Sequence, residues 1–295
     1  MVKFHEADHT HPYPFPTVTL AYFLRYPNPY ASHVISTDVI DRHYDPSTST
    51  LYTSRLHLKQ SKLPSAIITL LPRSWLNVGP DGKTSQSFIL ERSVVDVRTG
   101  VMVTESRNLD YRGILEVVER QVYRRPRVDL RAWWENTIAQ RGAKGYALKL
   151  PIAVERIRTP AGASTDEETA TDVHTKVELL SRLGESRKRL WARAKTAEAA
   201  PSDADEDEPA PRKVGFFASL RENTIQRSIE AVGLRRTERA VPNSQKGMNA
   251  VLERLRTGGL IGVLEGMRRD RELAYAGLPT VRGAHGDEDT STEII

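Results

Sequence analysis

One arginine near the N-terminus combines the chemistry and the local rigidity needed to bind an oxyanion. Arg25 opens the segment Arg25-Tyr-Pro-Asn-Pro-Tyr30. Two prolines one residue apart stop a helix and bias the residue before each toward extended geometry, so the segment predicts a fixed turn from a helix into a strand. A guanidinium offers five donors in a planar fork, which suits phosphate or carboxylate. The alternative is that Arg25 caps the preceding helix or forms a surface ion pair.

A second set of basic residues shares one face of a predicted strand. In the strand predicted over Thr50–Gln60, a period of two places Arg55, His57 and Lys59 on one face, and the other face is mostly apolar. A half-buried sheet would leave that basic face in water, whereas a sheet curled into a cup would bring it to the wall or mouth of the cup. The pattern leaves both interpretations open.

An apolar segment follows Lys62 and is bracketed by Pro64 and Pro72. It is too short to span a bilayer and too interrupted by proline to be a central strand. One interpretation is a core-packed helical turn or an edge segment. The other is a lid that closes over an apolar ligand and dips into a membrane interface. The candidate lid and membrane-contact residues are Leu63, Ile67, Ile68, Leu70, Leu71 and Trp75.

The remaining patterns predict the elements that position these side chains. A first strand, a helix opening at Pro16 and five further strands are predicted. The last three strands, over Ser87–Val97, Val101–Leu109 and Gly113–Tyr123, follow one another with short connections, which favours an antiparallel meander over a parallel sheet. The later patterns predict a helix over Asp172–Ala199, an acidic loop over Pro201–Pro211, and an amphipathic helix over Gly215–Leu255 that Pro242 should kink or break.

Composition narrows the classes of partner. The 295 residues carry a net charge of +5 and a pI near 9.4, which favours acidic partners such as nucleic acid or anionic lipid. No apolar run approaches the roughly 20 residues of a membrane span, so we expect any membrane contact to be peripheral. The chain has no cysteine, and its first residues match neither a secretory signal nor a transit peptide.

No motif for catalysis stands in the context that its chemistry needs, and we predict neither enzymatic activity nor a cofactor. The chain contains no Gly-x-Ser-x-Gly and no Gly-x-x-x-x-Gly-Lys-Ser/Thr. The stretch His5-Glu-Ala-Asp-His9 matches His-Glu-x-x-His, but it overlaps the first strand, predicted over Val2–Asp8, whereas the motif needs a helix to bring both histidines to one metal ion. His5, His9 and His11 are loosely spaced, which favours a fortuitous cluster over a metal site.

The motifs around Arg25 carry a family resemblance. Arg25-Tyr-Pro-Asn-Pro-Tyr-x-x-His33-Val, then Arg55-x-x-x-Lys59-x-x-Lys62-x-Pro64 and Arg107-Asn-Leu-Asp110, resemble in order and position the PRELI-like (Ups/PRELI, PRELI/MSF1-domain) proteins. The resemblance covers roughly residues 1–125 and resumes over 215–255, where Val232-Gly-Leu and Lys246-Gly stand in a helical stretch.

The resemblance implies an α+β fold, in which a curved antiparallel β-sheet cup is closed by a long C-terminal helix and a lid loop encloses a lipid cavity. It implies one lipid-transfer domain over 1–275 with a predicted insert at about 125–212 and a disordered tail over 276–295. The implied headgroup-binding residues are Arg25, His33, Arg55, Lys59, Lys62, Arg236 and Lys246. Ala240 and Asn243 depart from the family pattern, which puts the headgroup contacts of the long helix in doubt.

The implied function is phospholipid transfer in the mitochondrial intermembrane space, with phosphatidic acid as cargo and a small twin-Cx9C protein as partner. The form of the Arg25 motif and the charge of a phosphomonoester both favour this cargo. Replacing Arg25 with Glu should then abolish transfer with thermal stability near that of the wild type. The rival hypothesis is a basic adaptor or nucleic-acid-binding module that uses the arginines from Arg120 to Arg131.

Overall fold

The computed structural model describes residues 2–62, 84–141, 169–181 and 216–276, which contain seven strands and three helices. The strands are β1 Val2–His11, β2 Val34–Asp45, β3 Thr50–Lys62, β4 Thr84–Asp96, β5 Val101–Asn108, β6 Leu115–Arg124 and β7 Thr171–Ser181. The helices are α1 Phe15–Phe23, α2 Leu130–Arg141 and α3 Phe216–Tyr275. None of these helices holds an apolar stretch long enough to cross a bilayer.

All seven strands form one open, curved antiparallel sheet in the order β1-β7-β6-β5-β4-β3-β2. Strands β2 to β6 are a meander of chain neighbours. Residues 46–49, 97–100 and 109–114 are short connections of the kind that favours such pairing, whereas residues 63–83 separate β3 from β4. The pairing of β2 with β3 shifts register twice, and such irregularities bend and twist a sheet edge. The predicted α+β fold with a curved sheet and a C-terminal helix is confirmed.

The predicted helix over Asp172–Ala199 is wrong in its first third. Thr171–Ser181 is β7, a strand between β1 and β6 in the interior of the sheet order. Val173, Thr175, Val177 and Leu179 follow a period of two and are all buried, and the β-branched residues among them favour a strand. Residues 171–181 fall inside the predicted insert yet belong to the sheet, whereas the domain limits stay a prediction.

Pro242 was predicted to kink or break the helix, and the break does not occur, since α3 continues through this residue. The backbone leaves helical geometry instead at Gly259, where φ is 60° and ψ is −153°. Nη1 of Arg254, before this residue, lies 2.7 Å from Oδ2 of Asp270, after it. A straight helix would separate these residues by about 24 Å. The last helical segment therefore folds back on the one before it.

Helices cover both faces of the sheet. The larger core lies where α1 and α3 pack on the concave face, and it contains buried residues such as Tyr22, Met102 and Leu252. Val101 and Val103 point to the opposite face, because side chains alternate along a strand. There they pack against Trp133 of α2 in a smaller core. The concave face remains available for a site wherever α1 and α3 do not fill it.

Candidate functional site

A cavity of about 310 Å³ lies between the concave face of β3 to β6 and the first half of α3. Its rim includes the exposed Ser61 and Arg236, and its inner end includes the buried Arg25, His57 and Glu91. The remaining lining residues are Tyr26, Lys59, Ser85, Ser87, Ile89, Ser106, Arg107, Asn108, Tyr111, Ile114, Leu115, Val117, Glu119, Ile229, Val232 and Gly233. The cavity is thus apolar along much of its wall and charged at both ends.

A buried carboxylate, Glu91, organises the inner end of the cavity. Nη2 of Arg25 donates to Glu91 Oε2 at 2.6 Å, and Nε of Arg55 donates to Glu91 Oε1 at 2.8 Å. The Nε2 atom of His57 lies 3.3 Å from the same carboxylate. Burial would raise the pKa of Glu91, but the two guanidinium groups hold it well below its usual range. Glu91 is therefore an ionised carboxylate with 1% of its surface exposed.

The inner cluster carries one excess positive charge. Burial lowers the pKa of His57 despite the nearby carboxylate, so the imidazole is neutral near pH 7. Burial also opposes the charge of Arg25, but Tyr22, Tyr26 and Glu91 outweigh it and raise the pKa above the usual value. Two cations thus share one anion, and Arg25 Nε has no hydrogen-bond partner among the described residues. An incoming anion could supply that missing partner, and buried charges need such pairing.

The predicted turn after α1 places Arg25 in this cluster. Asn28, between the two prolines, is buried and bonds the backbone on both sides. Its Nδ2 donates to the Arg25 carbonyl at 2.6 Å, and its Oδ1 accepts from the Tyr30 amide at 2.9 Å. The guanidinium then lies 4.0 Å from the ring centroid of Tyr22. The turn and the inward direction of Arg25 agree with the motif.

The helix-cap alternative for Arg25 is wrong, because another arginine performs that role. Nη1 of Arg55 donates to the carbonyl oxygen of Phe23, the last residue of α1, at 2.9 Å. Cations at a helix C-terminus satisfy carbonyls that lack partners. Arg55 is fully engaged with this carbonyl and with Glu91, and it does not line the cavity. It was predicted to bind the headgroup, and the structure gives it a supporting position behind Arg25.

The basic face of β3 points into the cup rather than into water. His57 and Lys59 line the cavity, and Lys59 is half-buried with no ion pair among the described residues. Lys62, further along the strand, is exposed and lies outside the lining. Its carbonyl accepts a hydrogen bond of 2.6 Å from Arg236 Nη2, which ties α3 to the rim of the cavity.

Other predicted site residues do not meet at this cavity. His33 and Lys246 are exposed and are not part of the described lining. The predicted lid lies outside the described residues, so its six residues keep their role only as a prediction: Leu63, Ile67, Ile68, Leu70, Leu71 and Trp75.

Residues that sequence reasoning missed include Glu91 and Glu119. Ser87, Ile89 and Glu91 occupy every second position of β4 and share its inward face. This period of two was the only sequence signal that could have placed Glu91 in the cavity.

The sequence analysis gave the Arg107-Asn-Leu-Asp110 motif no structural role. Here Asn108 Oδ1 accepts from the Val117 amide at 2.8 Å, and its Nδ2 donates to the Leu115 carbonyl at 3.0 Å. The motif therefore pins the loop that joins β5 and β6.

The arginines from Arg120 to Arg131 do not form a continuous cationic surface. Arg120 is buried and donates to Glu105 at 2.8 Å and to Glu178 at 2.7 Å. Arg124 is buried as well. A nucleic-acid site needs exposed cations that can neutralise phosphates. The geometry of this run therefore opposes the rival hypothesis.

Gly247 of α3 allows the helix to approach the turn that holds Arg25. A Cβ atom at this position would lie 2.7 Å from Oδ1 of Asn28, whose side chain is held by two hydrogen bonds. We expect Gly247→Ala to lower the free energy of unfolding by about 1–3 kcal/mol through overpacking. Urea denaturation measures this loss. Gly258→Ala is the matched control, because no described atom lies within 4 Å of its Cβ; equal stability of the two variants would contradict the close approach.

The described residues contain no cluster of histidine, aspartate and glutamate suited to a metal ion. His9 and His11 do meet, but they bond to each other, with Nε2 atoms 3.2 Å apart, and to the amides of α3.

Comparisons with known proteins relate the chain to one family. A family model described as the PRELI-like family matches residues 16–155. Protein UPS1, mitochondrial, of Saccharomyces cerevisiae is 40% identical over 123 residues, which are 42% of this chain and 64% of that protein. A ups1 homolog of Schizosaccharomyces pombe is 42% identical over 103 residues, 35% of this chain and 53% of that protein. A UPS-like protein of the same yeast is 33% identical over 147 residues, 50% of this chain and 71% of that protein. The chain thus spans a little less than two thirds of the first relative and about half of the second.

Proposed function

This chain belongs to the PRELI-like family, and from that premise we propose that it carries a phospholipid between membranes in mitochondria. The observation that supports this function best is the cavity itself, which joins apolar walls to a buried cationic end. Such a cavity suits an amphipathic molecule with one anionic group. The protein would bind and release its cargo without changing a covalent bond and without a cofactor.

The lining matches the two chemical parts of a phospholipid. Among the described lining residues, Arg25, Lys59 and Arg236 are basic and Glu91 and Glu119 are acidic, whereas Arg107 is bound to Glu105 outside the lining. The apolar lining is Ile89, Ile114, Leu115, Val117, Ile229 and Val232. A cavity of about 310 Å³ is at the small end of ligand pockets. It would therefore hold the headgroup and glycerol, and the acyl chains would extend beyond it beneath the predicted lid.

Phosphatidic acid is the cargo that this charge distribution favours. A phosphomonoester carries up to two negative charges near neutral pH. The excess charge of the Arg25 cluster and Lys59, which has no ion pair among the described residues, would together match that charge inside a partly dry cavity. A zwitterionic headgroup would bring a cation of its own toward these side chains. We therefore expect zwitterionic lipids to bind more weakly.

The proposal extends to membranes, a partner and a compartment. The name of Protein UPS1, mitochondrial, supports a mitochondrial location, and we infer that the chain works in the intermembrane space. There it would touch anionic membranes peripherally through the predicted lid and pair with a small twin-Cx9C protein. Co-expression with such a protein followed by size-exclusion chromatography tests the pairing, and two separate peaks would contradict it.

Native mass spectrometry and a transfer assay test the proposed function. Protein purified from a lipid-containing expression host should retain phospholipid, with phosphatidic acid enriched over its share of host lipid. Transfer between donor and acceptor liposomes should then be faster for phosphatidic acid than for phosphatidylcholine. Absence of bound lipid together with strongly salt-dependent binding of nucleic acid would overturn the carrier function in favour of the rival hypothesis.

A further inference from the structure

Two histidines of the edge strand form a continuous hydrogen-bond chain with the long helix. His9 Nε2 and His11 Nε2 are 3.2 Å apart, and the planes of their rings are nearly perpendicular, at 89°. His9 Nδ1 lies 3.1 Å from Nε2 of Gln245, and His11 Nδ1 lies 3.1 Å from Oδ1 of Asn249. Gln245 and Asn249 are one turn apart on the same side of α3. Four side chains thus connect β1 to α3.

The chain of bonds fixes the protonation of both rings. The Asn249 amide oxygen can only accept, so Nδ1 of His11 carries a hydrogen and its Nε2 is a free lone pair. His9 must then donate from Nε2, and its Nδ1 accepts from the Gln245 amide. Every bond is made when each imidazole holds a single hydrogen. If the side-chain oxygen and nitrogen of both Gln245 and Asn249 exchange places, donor and acceptor exchange in all three bonds. Each ring still holds a single hydrogen and is neutral.

Protonation of either ring breaks this chain. An added proton places two N–H groups opposite each other at 3.2 Å, or turns an N–H toward the amide hydrogens of Gln245. Burial, together with the charge of His11, lowers the pKa of His9 to about 3. Burial lowers the pKa of His11 to about 4, against the bond to Asn249. The packed arrangement of β1 and α3 therefore disfavours the protonated form of both His9 and His11.

The groups around the two rings do not offset this exclusion. Arg25, Glu119 and Tyr123 line the small space beside the rings together with Gln121 and Thr175. Arg25 is bound to Glu91, and Glu119 accepts from Gln121 at 3.0 Å. On the other side of β1, Asp8 binds His174 of β7, and on α3 the exposed Glu253 binds Tyr13 and Arg256. None of these carboxylates bonds to His9 or His11 in the described part of the chain.

We propose that His9 and His11 are a proton-operated latch, which fastens α3 to β1 while both rings are neutral and releases the helix on acidification. This goes beyond lipid carriage, but the two are connected, since Ile229, Val232 and Arg236 of α3 form one wall of the cavity. Anionic lipids attract cations, including protons, to a membrane surface. The latch would therefore loosen where cargo is exchanged.

The sign of the effect follows from the two protonation states. Once α3 is released, each imidazole is hydrated and regains a pKa near its ordinary value of about 6.5. The released form then binds more protons than the latched form between about pH 6.5 and 4. The latch is thus at full strength above this window and weakens as the pH falls through it. Each ring changes the ratio of released to latched molecules up to about tenfold per pH unit, so the pair changes it up to about a hundredfold.

Distance measurements with spin labels test the latch directly. The chain has no cysteine, so labels can be attached at Gln60→Cys on β3 and Asn243→Cys on α3, both of which are exposed positions. Between pH 7.5 and 5, pulsed electron resonance should show a growing population of longer distances. Circular dichroism at each pH separates release of the helix from loss of the fold, and a distance change that coincides with global unfolding would overturn the proposal.

Three variants of the spin-labelled protein identify the side chains that cause the response to pH. The double variant His9→Gln/His11→Gln should remove the pH response, and His5→Gln, on the same strand but outside the chain of bonds, should leave it intact. Asn249→Asp offers His11 a carboxylate that favours the charged ring, so release should shift to lower pH. If the double variant does not fold, Asn249→Asp decides the question. A constant distance in the wild type, or the same pH response in Asn249→Asp, would overturn the latch.

Discussion

Glu91→Gln is expected to lower the free energy of unfolding by about 3–5 kcal/mol, because it leaves two buried guanidinium groups without a counter-ion. The amide keeps the size of the carboxylate, so the loss reports charge rather than packing. Urea denaturation at pH 7 measures it. Glu119→Gln is the matched control, since Glu119 lines the same cavity but forms no ion pair among the described residues. Equal, small losses in the two variants would show that the Glu91 contacts contribute little to folding.

The same cluster changes what we expect from the charge reversal of Arg25. The sequence predicted that Arg25→Glu would abolish transfer with little effect on thermal stability. Arg25 lies 2.6 Å from Glu91 and only 9% of its surface is exposed. A second carboxylate at this place would be repelled by the first in a poorly hydrated site. We now expect this variant to be destabilised, so it is a poor probe of transfer.

Lys59→Glu is the stronger probe of cargo binding, with an expected loss of at least 10- to 150-fold in phosphatidic acid transfer. A charge-assisted contact contributes roughly 1.5–3 kcal/mol, and charge reversal adds repulsion of the phosphate. The fold should persist, because Lys59 is half-buried and makes no ion pair within the described chain. Liposome transfer and the melting temperature are measured on the same samples.

A matched control separates cargo binding from attraction to membranes. Arg92→Glu makes the same change in net charge on β4, one residue from the inward-facing Glu91 and therefore on the other side of the sheet. Its transfer of phosphatidic acid should fall far less than that of Lys59→Glu. Similar losses in the two variants would mean that Lys59 acts by steering the protein to anionic lipid.

Some features of the site follow from short stretches of sequence. The two prolines and Asn28 dictate the turn after α1, because steric limits and local hydrogen bonds act within a few residues. Alternation along β3 likewise placed His57 and Lys59 on one face. Which face the sheet curls toward was left open, since the same alternation fits a basic face in water.

Other features could not be predicted from the sequence, because the residues that interact lie far apart in the chain. Glu91 has no local signal that distinguishes it from a surface glutamate, and it becomes the centre of the site only when β3 and α1 bring two arginines to it. His9 and His11 were interpreted as a fortuitous cluster, and their partners lie on α3, more than 230 residues away. The sequence contains the atoms of both networks but not their pairing.

The sequence by itself determined the antiparallel meander, the proline turn and the set of basic side chains near it, because periodicity, short connections and proline sterics are local, whereas the α+β class was implied by the family resemblance. The tertiary structure decided that Thr171–Ser181 is a strand, that α3 continues through Pro242 and reverses at Gly259, and that Glu91 rather than a helix terminus receives Arg25. These outcomes depend on packing and on the pairing of buried charges across the sheet. Such terms exceed the local preference of any one residue, and they exist only once distant segments meet.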